Sequence, residues 1–356
     1  MTAIPAMHAY PKAKAERQPS SWWYYGRALY VSRRDYFKIY LALLFVLGIP
    51  MVLAGYYLES RFWLNTAFGM GFAALLYQAY SLLGMYRMYG PPAKGYLKRL
   101  MKQAEVHGPV IVADLHVGTY RHTYAIADVL PEATVHSIDC WGVSGDPDEK
   151  AIADVRALEV PPVGHPRIQG HQADNYALPL ADGSCDVVVL GFGTHEIPKG
   201  ESRDKLFREA SRVLKPGGKL LIFEHGNDFH NTIIFGPIIG HVTTREEWME
   251  TLKQHIGDIG YARTSFAVDL FWGTKGATTG SVSAPLPVIP KWQAVLRIIS
   301  VIFTVFLGTL FAGSLLLDNS LYGILIGIAV MGLVWPWLMI GVASVGDGLS
   351  QGNSSR

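Results

Sequence analysis

Two pairs of long apolar runs frame a stretch in which short apolar segments alternate with amphipathic ones. Ile39–Leu58 and Trp63–Tyr86 make the first pair, joined across Glu59 and Arg61; Ile298–Leu317 and Leu321–Ala343 make the second, joined by Asp318-Asn319-Ser320. Each run is long enough to cross about 30 Å of hydrocarbon as a helix, so the pattern predicts two transmembrane hairpins. Gly69 and Ala73 offer a close-packing face, and Pro336 a kink that neighbouring helices tolerate. Between the pairs the period changes. Val110–Ala113, Val135–Ile138, Asp186–Leu190 and Lys219–Phe223 read as buried parallel strands, and Ile168–Gln172 as a weaker one. Tyr261–Val268 and Leu270–Thr274 complete the set. Ala93–Glu105, Arg121–Leu130, Asp148–Leu158, Lys205–Leu214 and Glu246–Ile256 read as helices. Pro131 stops one of them, and Lys215-Pro216-Gly217-Gly218 stops another with a turn. Strands alternating with helices predict an α/β fold with a doubly wound, mainly parallel seven-stranded sheet.

The expected division is a tail with an aromatic and basic segment (1–37), a hairpin (38–86), the α/β domain (93–280), a second hairpin (291–345) and a short tail (346–356). Half of the residues are hydrophobic and the mean hydropathy is +0.20, which fits a polar domain carried on membrane helices. Trp22, Trp23, Tyr24 and Tyr25 stand near Arg27, Arg33 and Arg34, a mixture suited to a membrane–water interface. Lys and Arg cluster before the first run, after the second and before the third, while the hairpin tips nearly lack them. That asymmetry predicts an integral, multi-pass protein with both termini and the central domain cytoplasmic. The N-terminal segment lacks the early apolar core of a cleavable signal peptide. A net charge of +2 gives no argument for nucleic acid, and Cys140 and Cys185 read as reduced thiols, too few for a disulfide framework.

Asp114 ends the first strand and Asp139 the second, so a carboxylate stands at each strand's carboxyl edge, where doubly wound sheets hold ligands. The run from Asp174 to Val189, with its Leu178-Pro179, resembles the third-to-fourth-strand segment of class I S-adenosylmethionine-dependent methyltransferases. Arg208–Glu224, with Arg212-Val213-Leu214-Lys215-Pro216-Gly217-Gly218, resembles the segment that follows. The likeness is to the branch that methylates quinone precursors, lipids and other small molecules, and it covers roughly residues 93–280. It implies a Rossmann-like fold with S-adenosylmethionine as cofactor. It further implies Asp114 near the methionine moiety, Gly118 under it, Asp139 on the ribose hydroxyls, Asp174 on the adenine amino group, and Gly191 and Phe192 beneath the methyl donor. The first turn departs from the family's acid-x-Gly-x-Gly-x-Gly: here it is Asp114-x-His116-x-Gly118-x-Tyr120. Two outcomes stay open. Either His116 and Tyr120 fill the methionine pocket, or they point away and leave a tilted but open site; His116 counts among the cofactor-binding candidates with Asp114, Gly118, Asp139, Asp174 and Gly191.

Methyl transfer from a sulfonium needs alignment and exclusion of water, and a base only if the acceptor must lose a proton. His195 and His225 are the catalytic candidates, with Glu196, Glu224, Asp228 and His230 nearby in sequence. Glu224, His225, Asp228, His230 and His241 share one stretch, but their spacing matches no metal motif, and no metal is expected. Phe235–Gly240 and the aromatics near Phe271 and Trp272 add apolar surface where the family builds its acceptor lid. The expected function is therefore a membrane-anchored methyltransferase acting on a lipophilic acceptor, such as a lipid, a quinone-like ring or an isoprenoid, at the cytoplasmic face of the bilayer. Membrane-complex or homo-oligomer partners are compatible with this. The alternative is an inactive methyltransferase-like subunit of a membrane complex, which the altered glycine turn motivates.

Overall fold

The computed structural model describes residues 38, 41–42, 44–141, 150–174, 177–235, 242–264 and 268–276. The chain falls into two units, one comprising 1–32, 86–231 and 238–286, the other 33–85, 232–237 and 287–356. The helices are α1 (Ile49–Tyr57), α2 (Arg61–Tyr89), α3 (Ala93–Gln103), α4 (Arg121–Val129), α5 (Lys150–Arg156), α6 (Glu201–Val213), α7 (Phe229–Phe235) and α8 (Arg245–His255). The strands are β1 (Ile111–His116), β2 (Thr134–Asp139), β3 (Ile168–Gln172), β4 (Cys185–Leu190), β5 (Leu214–His225), β6 (Gly257–Arg263) and β7 (Val268–Thr274).

All seven strands form one sheet in the order β3-β2-β1-β4-β5-β7-β6. Strands β1 to β5 run parallel, and β7 lies antiparallel between β5 and β6. Val112, Ala113, Val135, Ile138, Val188, Val189, Leu220, Leu221 and Ile222 are wholly buried. Burial on both faces is why these strands read as unbroken apolar runs rather than alternating ones. Helix α6 buries Leu206, Phe207, Ala210 and Val213, and pairs Glu201 with Lys205 and Asp204 with Arg208 on its wet side. Helix α8 opens with a reciprocal cap: Glu247 N–H donates to Thr244 Oγ1 at 3.3 Å, and Thr244 N–H donates to Glu247 Oε2 at 2.8 Å. This is the Rossmann-like α/β fold expected from the sequence. The strand order reverses between β1 and β4, which opens a crevice at their carboxyl ends.

Two local expectations are corrected. Strand β5 begins at Leu214 and runs through the Lys-Pro-Gly-Gly turn, with Gly217 at φ 76°. Strand β6 begins at Gly257 rather than Tyr261, because Gly260 lies bare beneath the Trp272 ring, where a Cβ would sit 2.0 Å from a ring atom.

In the second unit, no helix among the described residues is long and apolar enough to cross a membrane. The described part of Ile39–Leu58 holds helical residues 41–42, a π-helical turn, Leu44–Gly48, and the nine-residue α1. Helix α2, at 29 residues, has the length, but Asn65, Thr66, Gln78 and several tyrosines are spread along it. The first predicted transmembrane hairpin is therefore not supported by the described residues. The second, Ile298–Leu317 and Leu321–Ala343, lies outside them, as do residues 1–37.

Candidate active site

Strand β1 ends on an internally bonded turn. Gly118, at φ +87°, takes the left-handed backbone that glycine allows, and its N–H donates to His116 Nδ1 at 2.9 Å. His116 Nδ1 is thus an acceptor, so Nε2 carries the proton and donates to Ser137 Oγ at 2.8 Å. Ser137 Oγ lies 3.0 Å from Thr123 Oγ1, which donates to Asp114 Oδ2 at 2.5 Å. A hydrogen-bonded chain, His116–Ser137–Thr123–Asp114, therefore runs through buried ground between β1, β2 and α4. Burial pushes the His116 pKa down to about 4, with Asp139 opposing and Arg156 assisting. The same desolvation pushes the Asp114 carboxyl up to about 7 against the Thr123 hydrogen bond. Asp114 Oδ1 is buried without a hydrogen-bond partner. Of the two outcomes left open for the turn, His116 takes the second: its ring is turned into the protein.

The Tyr120 hydroxyl donates to Asp139 Oδ2 at 3.3 Å, and its ring meets His116 edge-on at 4.9 Å. Asp139, wholly buried at the end of β2, also receives both nitrogens of Arg156: Nη1 to Oδ1 at 2.7 Å and Nη2 to Oδ2 at 2.8 Å. Arg156 Nη1 further donates to the Val117 carbonyl at 2.8 Å, and it lies 2.1 Å from where a Cβ on Gly118 would be. The guanidinium thus lies across the glycine turn and takes both oxygens of the carboxylate expected to hold ribose. Arg156 carries no motif in the sequence. Only its place at the end of α5, after β2, could have marked it.

The other side of the crevice is aromatic and charged. Gly191 is fixed by packing: a Cβ there would meet the Phe223 ring at 2.5 Å. Phe192, buried, touches the rings of Tyr89, His122, Phe223 and His225. His195 stands on the short turn Thr194–Glu196 after β4. Its Nδ1 lies 2.9 Å from Glu224 Oε2 and its Nε2 3.2 Å from Glu196 Oε1, and its N–H donates to Glu224 Oε1 at 3.3 Å. Burial alone would lower the His195 pKa, but Glu224 and Glu196 together push it up to about 10. His225 Nδ1 is 3.6 Å from Glu224 Oε2, and the His195 and His225 rings meet edge-on at 4.7 Å. Arg203 holds the His195 turn: it donates to the His195 and Ile197 carbonyls at 3.1 and 2.8 Å and to Thr243 Oγ1 at 2.7 Å, under the Trp248 ring.

The fold therefore brings His195, Glu224 and His225 together, and Asp114, His116, Gly118 and Asp139 together. Asp174 sits in a tight turn, its carbonyl accepting from Ala177 N–H at 3.1 Å. Asp228 is engaged by Arg263 at 2.7 Å and by the start of α7. Burial pushes His230 down to about 4. His241 and residues 236–240 of the expected lid lie outside the described residues.

Residues 117–222 match the family model described as a methyltransferase domain. The chain is 33% identical over 131 residues to a demethylmenaquinone methyltransferase of Lactobacillus johnsonii, covering 36% of this chain and 50% of that protein. It is 35% identical over 105 residues to a ubiquinone/menaquinone biosynthesis C-methyltransferase of Rubrivivax gelatinosus, covering 26% and 41%. The chain spans about half the length, or less, of these relatives. Among solved structures it is similar to a SAM-dependent methyltransferase of Aquifex aeolicus at 17% identity and TM-score 0.41, covering 53% of this chain and 93% of that one. It is also similar to phosphoethanolamine N-methyltransferase 2 of Haemonchus contortus, solved with S-adenosyl-L-methionine, at 20% identity and TM-score 0.36, covering 48% and 39%. Residues 117–222 of this chain thus match a methyltransferase-domain model, and they lie within a Rossmann-like α/β sheet.

Proposed function

We propose that this protein is an S-adenosylmethionine-dependent methyltransferase acting on a lipophilic acceptor, with a quinone-like ring favoured over a lipid or an isoprenoid. The observation that carries this reading is the pairing of two buried carboxylates, Asp139 at the end of β2 and Asp114 two residues short of the end of neighbouring β1, beside a left-handed glycine that falls in the matched segment 117–222. These residues fit the cofactor in kind. Asp114 has one orphaned, buried oxygen, which suits a cationic ammonium; both Asp139 oxygens accept from Arg156, so a ribose diol would take them by displacing that guanidinium. When bound, the cofactor supplies an activated methyl group on sulfur, open to in-line displacement.

The chain's part is to orient and to exclude water. Asp114 and Asp139 fix the two ends of the cradle. Phe192, Tyr89 and Phe223 form an apolar wall where the acceptor ring would lie. His195 and His225 lie beyond that wall, where an acceptor hydroxyl would meet them. Relatives named for quinone biosynthesis support the substrate class. Membrane placement, with the domain on the cytoplasmic side, belongs to the same reading. Phe45, Val46, Tyr56, Phe68 and Leu75 expose their side chains to solvent in the second unit, an apolar surface suited to a bilayer or to a membrane partner.

A second reading has one specific observation behind it. The Arg156–Asp139 pair and Tyr120 occupy the ribose carboxylate, as they would in a methyltransferase-like subunit that has kept the fold without the cofactor. Calorimetric titration of the full chain with S-adenosylmethionine and S-adenosylhomocysteine separates the two. Micromolar binding, together with transfer of labelled methyl to a demethylquinol that is lost in Asp139→Ala, supports the enzyme. No binding by folded protein leaves the structural subunit.

A further inference from the structure

We propose that His195, Glu224 and His225 form a binding site for one divalent first-row transition ion of the zinc type. One ligand atom from each residue lies within 4.8 Å of the others. The two imidazole Nδ1 atoms stand 2.9 and 3.6 Å from the same Glu224 Oε2. Two atoms bound to one zinc at about 2.0–2.1 Å, at the tetrahedral angle, are about 3.3 Å apart. These two separations lie on either side of that value, and all three ligand atoms lie within 4.8 Å of one another, so an ion would draw them together. Two imidazoles and a carboxylate, leaving a position open, are the donor set of catalytic zinc sites and of facial iron sites.

The surroundings are those of a built site. The side chains of His195, Glu224 and His225 are 6, 0 and 6% exposed. Arg203, itself buried and held by Thr243 and Ile197, clamps the His195 carbonyl, so the turn that carries the first ligand is fixed from behind. Glu224 and His225 end β5, braced by full register with β7, where Glu224 faces Asp269 and His225 faces Val268. Phe192 and Tyr89 wall the His225 side with aromatic rings. Glu196, whose carboxylate reaches the outer edge of His195 and is a quarter exposed, marks the side open to solvent.

The test is optical titration of metal-stripped full-length protein with cobalt(II), followed by displacement with zinc. One equivalent should bind, giving intense visible bands of a four- or five-coordinate centre that zinc abolishes. His195→Ala and His225→Ala should each weaken uptake at least tenfold. The conservative Glu224→Gln should do the same, with circular dichroism confirming its fold. Absence of uptake by folded wild-type protein overturns the proposal, and so does uptake unchanged in both histidine variants. Ion uptake by a protein that binds no S-adenosylmethionine would uphold the site while the methyltransferase reading fails.

Discussion

If the chain binds S-adenosylmethionine as proposed, Arg156 competes with its ribose for Asp139, and removing Arg156 should expose that competition. The guanidinium makes two charge-assisted hydrogen bonds to a wholly buried carboxylate and a third to Val117. Hydrogen bonds to charged groups contribute about 1.5–3 kcal/mol each. About a quarter of the Arg156 side chain is exposed, so the low end applies. A ribose diol must displace both bonds and restores most of their energy with its own, so the net cost of moving Arg156 is about one bond at that low end, roughly 1.5 kcal/mol. Every 1.4 kcal/mol is about tenfold in affinity. Arg156→Gln should therefore bind S-adenosylhomocysteine about tenfold more tightly. The same change strips a buried carboxylate of its countercharge, which costs about 3–5 kcal/mol of stability in the unliganded protein. The signature is a pair of opposite shifts: a lower melting temperature without ligand, and a larger rise when ligand is added. Calorimetry gives the affinity and scanning fluorimetry the melting shift. Weaker binding by a folded Arg156→Gln would refute the argument, because Arg156 would then belong to the cofactor's own contacts.

Three further outcomes follow from the same geometry. Asp114, with its folded pKa raised to about 7, contributes stability below its unfolded value near 4 that is lost as pH rises towards 7; Asp114→Asn should remove up to about 4 kcal/mol of that slope. Urea denaturation of both proteins at pH 5 and pH 8 measures it, and parallel losses would sink the assignment. Gly118→Ala places a methyl group against Arg156 at a left-handed φ, so it should destabilise the fold by about 2 kcal/mol or more, whereas the same change at open Gly95 should not. Arg203→Lys cannot serve Thr243, His195 and Ile197 at once; a loss of about 2–3 kcal/mol is expected, and an unchanged melting temperature would show that the His195 turn is held otherwise.

The sequence disclosed what depends on neighbours along the chain and concealed what depends on the sheet. Apolar runs of four or five residues found β1 to β5 because parallel strands are buried on both faces, and a helix such as α4 could be bounded by Pro131. Gly257 to Gly260 read as loop because glycine is poor in strands, but its bare backbone is what the Trp272 ring requires from the next strand. The candidate site divides the same way. Asp114, Gly118 and Asp139 were visible because strand ends and turns are local. That His116 Nε2 reaches Ser137 depends on the register of β1 against β2, which pairs Asp114 with Ser137 and His116 with Asp139. Arg156 reaches Asp139 from a helix beyond β2, and nothing in its neighbours announces that reach. Within 224–241 the spacing of Glu224, His225, Asp228, His230 and His241 matches no metal motif. His195 joins Glu224 and His225 only because β4 and β5 lie side by side and end together. A donor set assembled from two strand ends has no spacing to read, so the topology 1-4-5 at the centre of the sheet is the signal that should direct a search for such sites.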